Sequence, residues 1–244
     1  MDQTMTRAGN FLPRVDEGTE ARNEVDRRVV TLTSPASNAA EQYRTLYYRL
    51  DRLRTVKPMK TVALTSAMPG EGKTVTSVNL ALTAARANPE RRVLLIDADL
   101  RRSQVAQVLG FKTKPGLAEL LSGDCQLNEA VRRFRSTRLA VIPAGATPEE
   151  PTQLLASRRM RELMEAVKNG FDEVYIDLPP TLPFADAAIL AQQADGVVMV
   201  IRAKVTNTTQ VQHAMEHLQG VPVVGCVLNG AEDNAAQYLK HYGK

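Results

Sequence analysis

Tryptophan is absent, and aromatic residues make up only 5% of the chain. Binders of single-stranded nucleic acid stack bases on aromatic rings, so this shortage argues against a nucleic-acid partner. Cysteine is nearly missing as well. Cys125 and Cys226 stand alone, with no Cys-x-x-Cys pair and no companion ligands. They read as reduced, packed thiols rather than as a disulfide or a metal site. No apolar run approaches the roughly 18 residues that cross a bilayer. Residues 1–18 mix acids with bases and lack a signal-peptide core. The expectation is a soluble, cytoplasmic chain. Strong charge is also lacking, since the formal net charge is +4. Arginine does cluster locally, at Arg132-Arg133-Phe134-Arg135 and Arg158-Arg159-Met160-Arg161. These clusters read as solvated helix faces, with an anionic membrane surface or an acidic partner segment as the other reading.

What is present centres on residues 67–74, Ala-Met-Pro-Gly-Glu-Gly-Lys-Thr. An apolar run of strand length, 61–66, precedes this stretch, and a breaker-poor run from Val75 to Arg86 follows it. Strand, glycine-rich loop and helix together form the setting of a phosphate-binding loop. Gly70 and Gly72 let the backbone approach a polyphosphate and turn its amides inward. Pro69, Glu71 and Val75 complete the expected nucleotide-binding stretch, and the start of the helix adds its positive dipole end. Lys73 is placed to reach the β and γ phosphates of a bound nucleotide, and the Thr74 hydroxyl to take a position on Mg²⁺. Ala67 stands where the usual pattern has its first glycine.

The 244 residues are enough for one α/β domain with an N-terminal extension. Residues 1–36 read as a flexible lead, with a short strand expected over 28–33. Ser37 is expected to cap a helix over 39–55 that Pro58 ends. From residue 60 the pattern alternates, with strands expected over 60–66, 92–97, 139–143, 173–178, 196–202 and 222–228. Helices are expected over 73–88, 102–109, 151–168, 184–193 and 207–219. Near-continuous apolar strands such as Val197-Val-Met-Val-Ile201 suit a mostly parallel sheet buried on both faces. The expected fold is therefore α/β, a doubly wound P-loop NTPase with an N-terminal helical extension. Residues 37–232 form its main domain and 233–244 a tail.

Two further strands end in acids, Asp97 with Asp99 and then Asp177 before Leu-Pro-Pro180. Ligands of open parallel sheets collect beyond the carboxyl ends of the strands, so these three acids are expected beside the loop. Asp177 is the natural magnesium-side acid. Asp97 and Asp99 alternate at a strand end and are expected to share one side, dividing metal and proton-accepting roles between them. A single Asp at a strand end is ordinarily a turn or cap residue. Three such acids beside a phosphate loop point to chemistry. His213-Ala-Met-Glu-His217 has the spacing of an inverted zinc-protease signature. With no third ligand evident, zinc is not expected.

From about Ser34 to Glu232 the sequence resembles the bacterial tyrosine kinases of capsule and exopolysaccharide synthesis. The resemblance is carried by the loop 69–74, by Leu94-Leu-Ile-Asp-Ala-Asp-Leu-Arg-Arg102 and by Ile176-Asp-Leu-Pro-Pro180. The linking phrases Gly116-Leu-Ala-Glu-Leu-Leu-Ser-Gly123, Val141-Ile-Pro-Ala-Gly145 and Val227-Leu-Asn-Gly230 add to it. It implies ATP·Mg²⁺ held by Lys73 and Thr74, metal support from Asp177 and Asp99, and removal of the tyrosyl proton near Asp97. Asn229 is expected beside the adenine. In that family a membrane-spanning polysaccharide co-polymerase or adaptor supplies a cytoplasmic tail that activates the kinase. This chain then looks like the separate cytoplasmic half, recruited to the inner face of the membrane and forming a homo-oligomer.

The ring-forming pattern Glu-x-x-Arg-x-x-Arg matches at Glu41 and Arg44, but its third position is Tyr47. The tail offers Tyr238 and Tyr242 where the family carries a dense tyrosine cluster. Tyr43, Tyr47 and Tyr48 are the other acceptors to consider. Two alternatives share the core. One is a partition- or septum-positioning ATPase, whose signature lysine would stand where this chain has Met68. The other is a nucleotide-binding regulator without kinase activity.

Overall fold

The computed structural model describes residues 24–134 and 137–232. The tail tyrosines Tyr238 and Tyr242, Arg135 and most of the N-terminal lead lie outside the described residues. The chain opens with helices α1 (Val30–Thr33) and α2 (Asn38–Val56), followed by strand β1 (Thr61–Ser66) and α3 (Lys73–Ala87). Next come β2 (Val93–Asp97), α4 (Val105–Leu109), α5 (Leu117–Ser122), α6 (Leu127–Ala130), β3 (Arg132–Arg133) and β4 (Leu139–Ile142). The second half holds α7 (Pro151–Leu155), α8 (Arg158–Gly170), β5 (Glu173–Asp177), α9 (Asp186–Ala191), β6 (Gly196–Arg202), α10 (Thr208–His217) and β7 (Val223–Asn229).

All six expected strands form. They join β3 in one sheet of order β3-β4-β2-β5-β1-β6-β7, parallel except where β3 runs antiparallel to β4. Successive side chains of a strand face opposite sides, so β2 feeds two cores. Leu94 and Ile96 pack with Ile176, Met199 and helices α5, α8 and α9, whereas Val93 and Leu95 pack with Leu64, Tyr175, Val198 and helices α2 and α3. A sheet covered on both faces explains why β1, β2, β4 and β5 are buried throughout.

Local chemistry sets several boundaries. Ser37 accepts from the amide of Ala40 (3.2 Å) and starts α2. Ser157 accepts from the amide of Met160 (3.2 Å). That second cap divides the single helix expected over 151–168 into α7 and α8.

Three other expectations need correction. The strand expected over 28–33 is the short helix α1. The Thr31 amide donates to Asn79 Oδ1 (3.0 Å) and Asn79 Nδ2 donates to Arg28 O (3.0 Å), docking the segment on α3. Arg132 and Arg133 lie on the edge strand β3, not on a helix face. Cys125 is half-buried as expected, but Cys226 is exposed because it sits on β7 at the edge of the sheet. No helix among the described residues is long and apolar enough to cross a membrane.

Candidate functional site

The strand order puts β2, β5 and β1 side by side. Asp97 at the end of β2 is the register partner of Asp177 at the end of β5, and the glycine-rich loop leaves β1 next door. Gly70 and Gly72 have φ of +84° and +91°, a left-handed conformation that a Cβ disfavours. At Gly72 a Cβ would also meet Asn229 Nδ2 at 2.0 Å. Gly72 immediately precedes α3, so Lys73 and Thr74 form the first turn of that helix.

Lys73 Nζ lies 2.9 Å from Asp99 Oδ2 and 3.3 Å from Asp177 Oδ2. Thr74 Oγ1 donates to Asp177 Oδ2 (2.7 Å), and Ser77 Oγ lies 3.0 Å from Asp177 Oδ1. The structure thus gathers Lys73, Thr74, Asp99 and Asp177 into one buried cluster. Sequence reasoning missed Ser77, although residue 77 follows 73 by one helical turn and so shares its face. A hydroxyl and two carboxylates beside an anion cradle suit Mg²⁺, which takes few protein oxygens and completes its shell with phosphate and water.

Asp97 lies beside the same cluster, close enough to Asp177, Lys73 and Asp99 to feel their charges. Its oxygens accept from the amides of Asp99 (3.2 Å) and Val105 (3.1 Å), while the Asp99 carboxylate pairs with Lys73. Burial, with the nearby Asp177 charge, pushes the Asp97 carboxyl up to about 8. Burial raises Asp177 too, against the opposing pull of Lys73 and the Thr74 hydroxyl. Burial alone would lower Lys73, but the charges of Asp177 and Asp99 outweigh it and hold the ammonium above its usual range.

A stability prediction follows from Asp97. Its ordinary value is 3.8, so between that pH and about 8 the folded chain holds more protons than the unfolded one. Stability therefore falls as pH rises through this window. Urea midpoints of the nucleotide-free protein are expected to decline from pH 4 to pH 8, and Asp97→Asn to flatten that slope in part. A wild-type midpoint that rises across the window contradicts the assignment.

The segment after Asp99 is pinned by residues that the sequence did not single out. Arg101 Nε donates to Asp186 Oδ2 (2.7 Å), Thr152 Oγ1 donates to Asp186 Oδ1 (2.5 Å), and the guanidinium sits 4.2 Å from the Phe184 ring centroid. Asn229, expected beside a base, stands at the end of β7 with Nδ2 donating to Glu71 O (2.9 Å). His217 Nδ1 donates to Thr181 O (3.1 Å) in the loop after β5.

Away from this cluster, Glu41 pairs with Arg44 on the same helix (2.7 Å), and both are solvent-accessible. Tyr47 is not. It is 2% exposed, and its hydroxyl donates to Glu173 (3.2 Å), so the third position of the ring-forming pattern faces the core.

Residues 59–222 match the family described as an AAA domain. The chain is 35% identical over 223 residues to the tyrosine-protein kinase YwqD of Bacillus subtilis (strain 168), covering 91% of this chain and 93% of that protein. It is 39% identical over 179 residues to the putative tyrosine-protein kinase EpsB of Ralstonia nicotianae, covering 72% of this chain but 24% of that longer protein. Among solved structures, the kinase domain of the Escherichia coli tyrosine kinase ETK superposes with a TM-score of 0.80 at 31% identity, covering 90% of this chain and 87% of that one.

Proposed function

Because this chain belongs to the AAA-domain family of bacterial tyrosine-protein kinases, we propose that it uses ATP and Mg²⁺ to phosphorylate protein tyrosines, its own included. In this role it regulates the synthesis and export of a capsular or extracellular polysaccharide. The observation that carries the reading is the cluster at the carboxyl ends of β1, β2 and β5. There Lys73 reaches Thr74, Asp99 and Asp177, and Thr74 donates to Asp177, beside the glycine loop.

Each residue has a role that its position supports. The loop 69–75 and Lys73 hold the polyphosphate, and Asn229 lies on the base side. Thr74, Asp99 and Asp177 hold Mg²⁺, which when bound neutralises charge on the phosphate oxygens. Asp97 accepts the tyrosyl proton, and a carboxyl near neutrality suits a general base. Lys73 now occupies the space between the two metal-side acids, so nucleotide binding draws its ammonium towards the phosphates.

The working unit is the domain 37–232 with the tail 233–244, which carries Tyr238 and Tyr242 as acceptors. Glu41 and Arg44 lie accessible on α2 for contact with a second copy. The activating partner is the cytoplasmic tail of a membrane-spanning polysaccharide co-polymerase, which holds the enzyme at the inner face of the membrane. The wide difference in length between the two kinase relatives supports this split arrangement.

Incubation with ATP, Mg²⁺ and that tail peptide, followed by anti-phosphotyrosine detection, tests the reading. Replacing Tyr238 and Tyr242 by Phe is expected to remove most of the label. Undiminished label would move the acceptor to α2, where Tyr48 is 58% exposed. Release of inorganic phosphate with no phosphotyrosine would instead identify the septum-positioning type of ATPase.

A further inference from the structure

We propose that Arg202, Thr206 and the Glu71 carboxylate are positioning residues that aim the amides of the phosphate loop at the bound nucleotide. The inference deepens the nucleotide-binding reading above and rests on it.

Two consecutive carbonyls of the loop are held from outside. Gly70 O accepts from Arg202 Nη1 (2.9 Å), and Glu71 O accepts from Asn229 Nδ2 (2.9 Å). Both peptide units are trans, since the single cis bond among the described residues is Lys114-Pro115. In a trans unit the C=O and the following N–H point in opposite directions. Anchoring Gly70 O and Glu71 O outward therefore turns the amides of Glu71 and Gly72 the other way, into the cradle. These are the donors that a polyphosphate needs.

Glu71 presents a difficulty that the same strap resolves. A carboxylate inside an anion-binding loop repels the ligand if it faces inward. Here the side chain is buried and turned back. It accepts from the amide of Met68 (3.2 Å) and from the Thr206 hydroxyl. Thr206 Oγ1 in turn accepts from the amide of Arg202 (3.0 Å), so one hydroxyl links the end of β6 to the loop. The turn between them contains Lys204 at φ +61°, a left-handed conformation that a residue with a Cβ adopts only against steric resistance. The fold accepts that strain in the turn that presents Arg202 and Thr206 to the cradle.

The test measures binding of a fluorescent ATP analogue with Mg²⁺ to the full chain, alongside the KM and kcat of phosphotransfer. Thr206→Val keeps the shape but removes both hydrogen bonds, and it is expected to weaken binding roughly ten- to a hundredfold. KM should rise while kcat changes little, because the chemistry of Lys73 and the acids is untouched. Thr206→Ser restores the hydroxyl and is expected to return binding to within about threefold of wild type. Arg202→Met alters an accessible side chain, so it separates the effect from folding. It should weaken binding about tenfold. If Thr206→Val and Arg202→Met bind the analogue as tightly as wild type does, the strap is overturned and the nucleotide reading stands. If wild type itself fails to bind the analogue, both fall.

Discussion

Replacing Lys73 with methionine is expected to abolish phosphotyrosine on the purified protein, a loss of at least about 10²–10³-fold. The ammonium is the cation of the cluster that touches Asp99 and Asp177, and those two acids are otherwise held by hydroxyl and amide donors. Methionine fills the same volume but leaves negative groups facing the site. A phosphate entering it meets repulsion where it had a counter-charge.

The same variant carries a second signature that a general unfolding defect would not show. Lys73 opposes the upward shifts of Asp97 and Asp177, so without the ammonium those two carboxyls retain protons to higher pH and the stability of Lys73→Met should depend on pH more steeply than that of wild type. The direction is a loss of stability as pH rises. Phosphotyrosine labelling that persists undiminished in Lys73→Met, in protein shown to be folded, would remove the basis for the assignment.

The second large effect lies at the opposite end of β5. Glu173 opens the strand that Asp177 closes, four residues and roughly 13 Å away. It is buried, accepts from three donors and pairs with a further cation. Arg91 Nη1 donates at 2.8 Å, the Tyr175 hydroxyl at 2.7 Å and the Tyr47 hydroxyl at 3.2 Å, and Arg54 Nη1 lies 2.7 Å away as an ion-pair partner. Arg91 also reaches Asp51 (2.6 Å), so the network fastens α2 to the sheet.

Removing the acid strands the Arg54 guanidinium among phenols and backbone. Glu173→Ala is therefore expected to destabilise the fold by about 3–5 kcal/mol, the cost of breaking a buried ion pair by deleting one partner. In a domain of this size the thermal midpoint should fall by on the order of 10 °C. Nucleotide affinity of the folded fraction should stay close to wild type, because the network lies at the amino-terminal edge of the sheet and the cradle at its carboxyl edge. A midpoint within about 2 °C of wild type would show that the network contributes little.

The chemistry-bearing residues were largely legible. The left-handed φ at Gly70 and Gly72, the capping hydroxyl of Ser37 and the acids at the ends of β2 and β5 each follow from local rules. Six strands were readable because a sheet covered on both faces demands apolar runs. Local pattern misled where a contact distant in sequence decided the outcome. The β-branched run 28–33 favours a strand in isolation, but Asn79 on α3 offers it the hydrogen bonds that hold it as a helix. Tyr47 reads as a surface substitution within a charged pattern, yet its partner Glu173 lies 126 residues further on. Ser77, Asp186, Thr152 and Thr206 belong to no contiguous motif. Each acts through a partner that only folding brings near.

Residue order alone determined which groups are available: a glycine turn able to expose its amides, a lysine and a threonine one step beyond it, and acids closing two apolar strands. Those are consequences of backbone sterics and of the continuous apolar runs that two-sided burial demands, and both operate over a few residues. Folding decided the rest. Inserting β5 between β1 and β2 brought Asp177 and Asp99 within reach of Lys73, set Asp97 in register beside Asp177, and placed β6 and β7 where Arg202 and Asn229 reach the loop carbonyls. Strand order is chosen by the packing of whole layers and their crossover helices, a sum over many contacts distant in sequence, and no short stretch of chain encodes it.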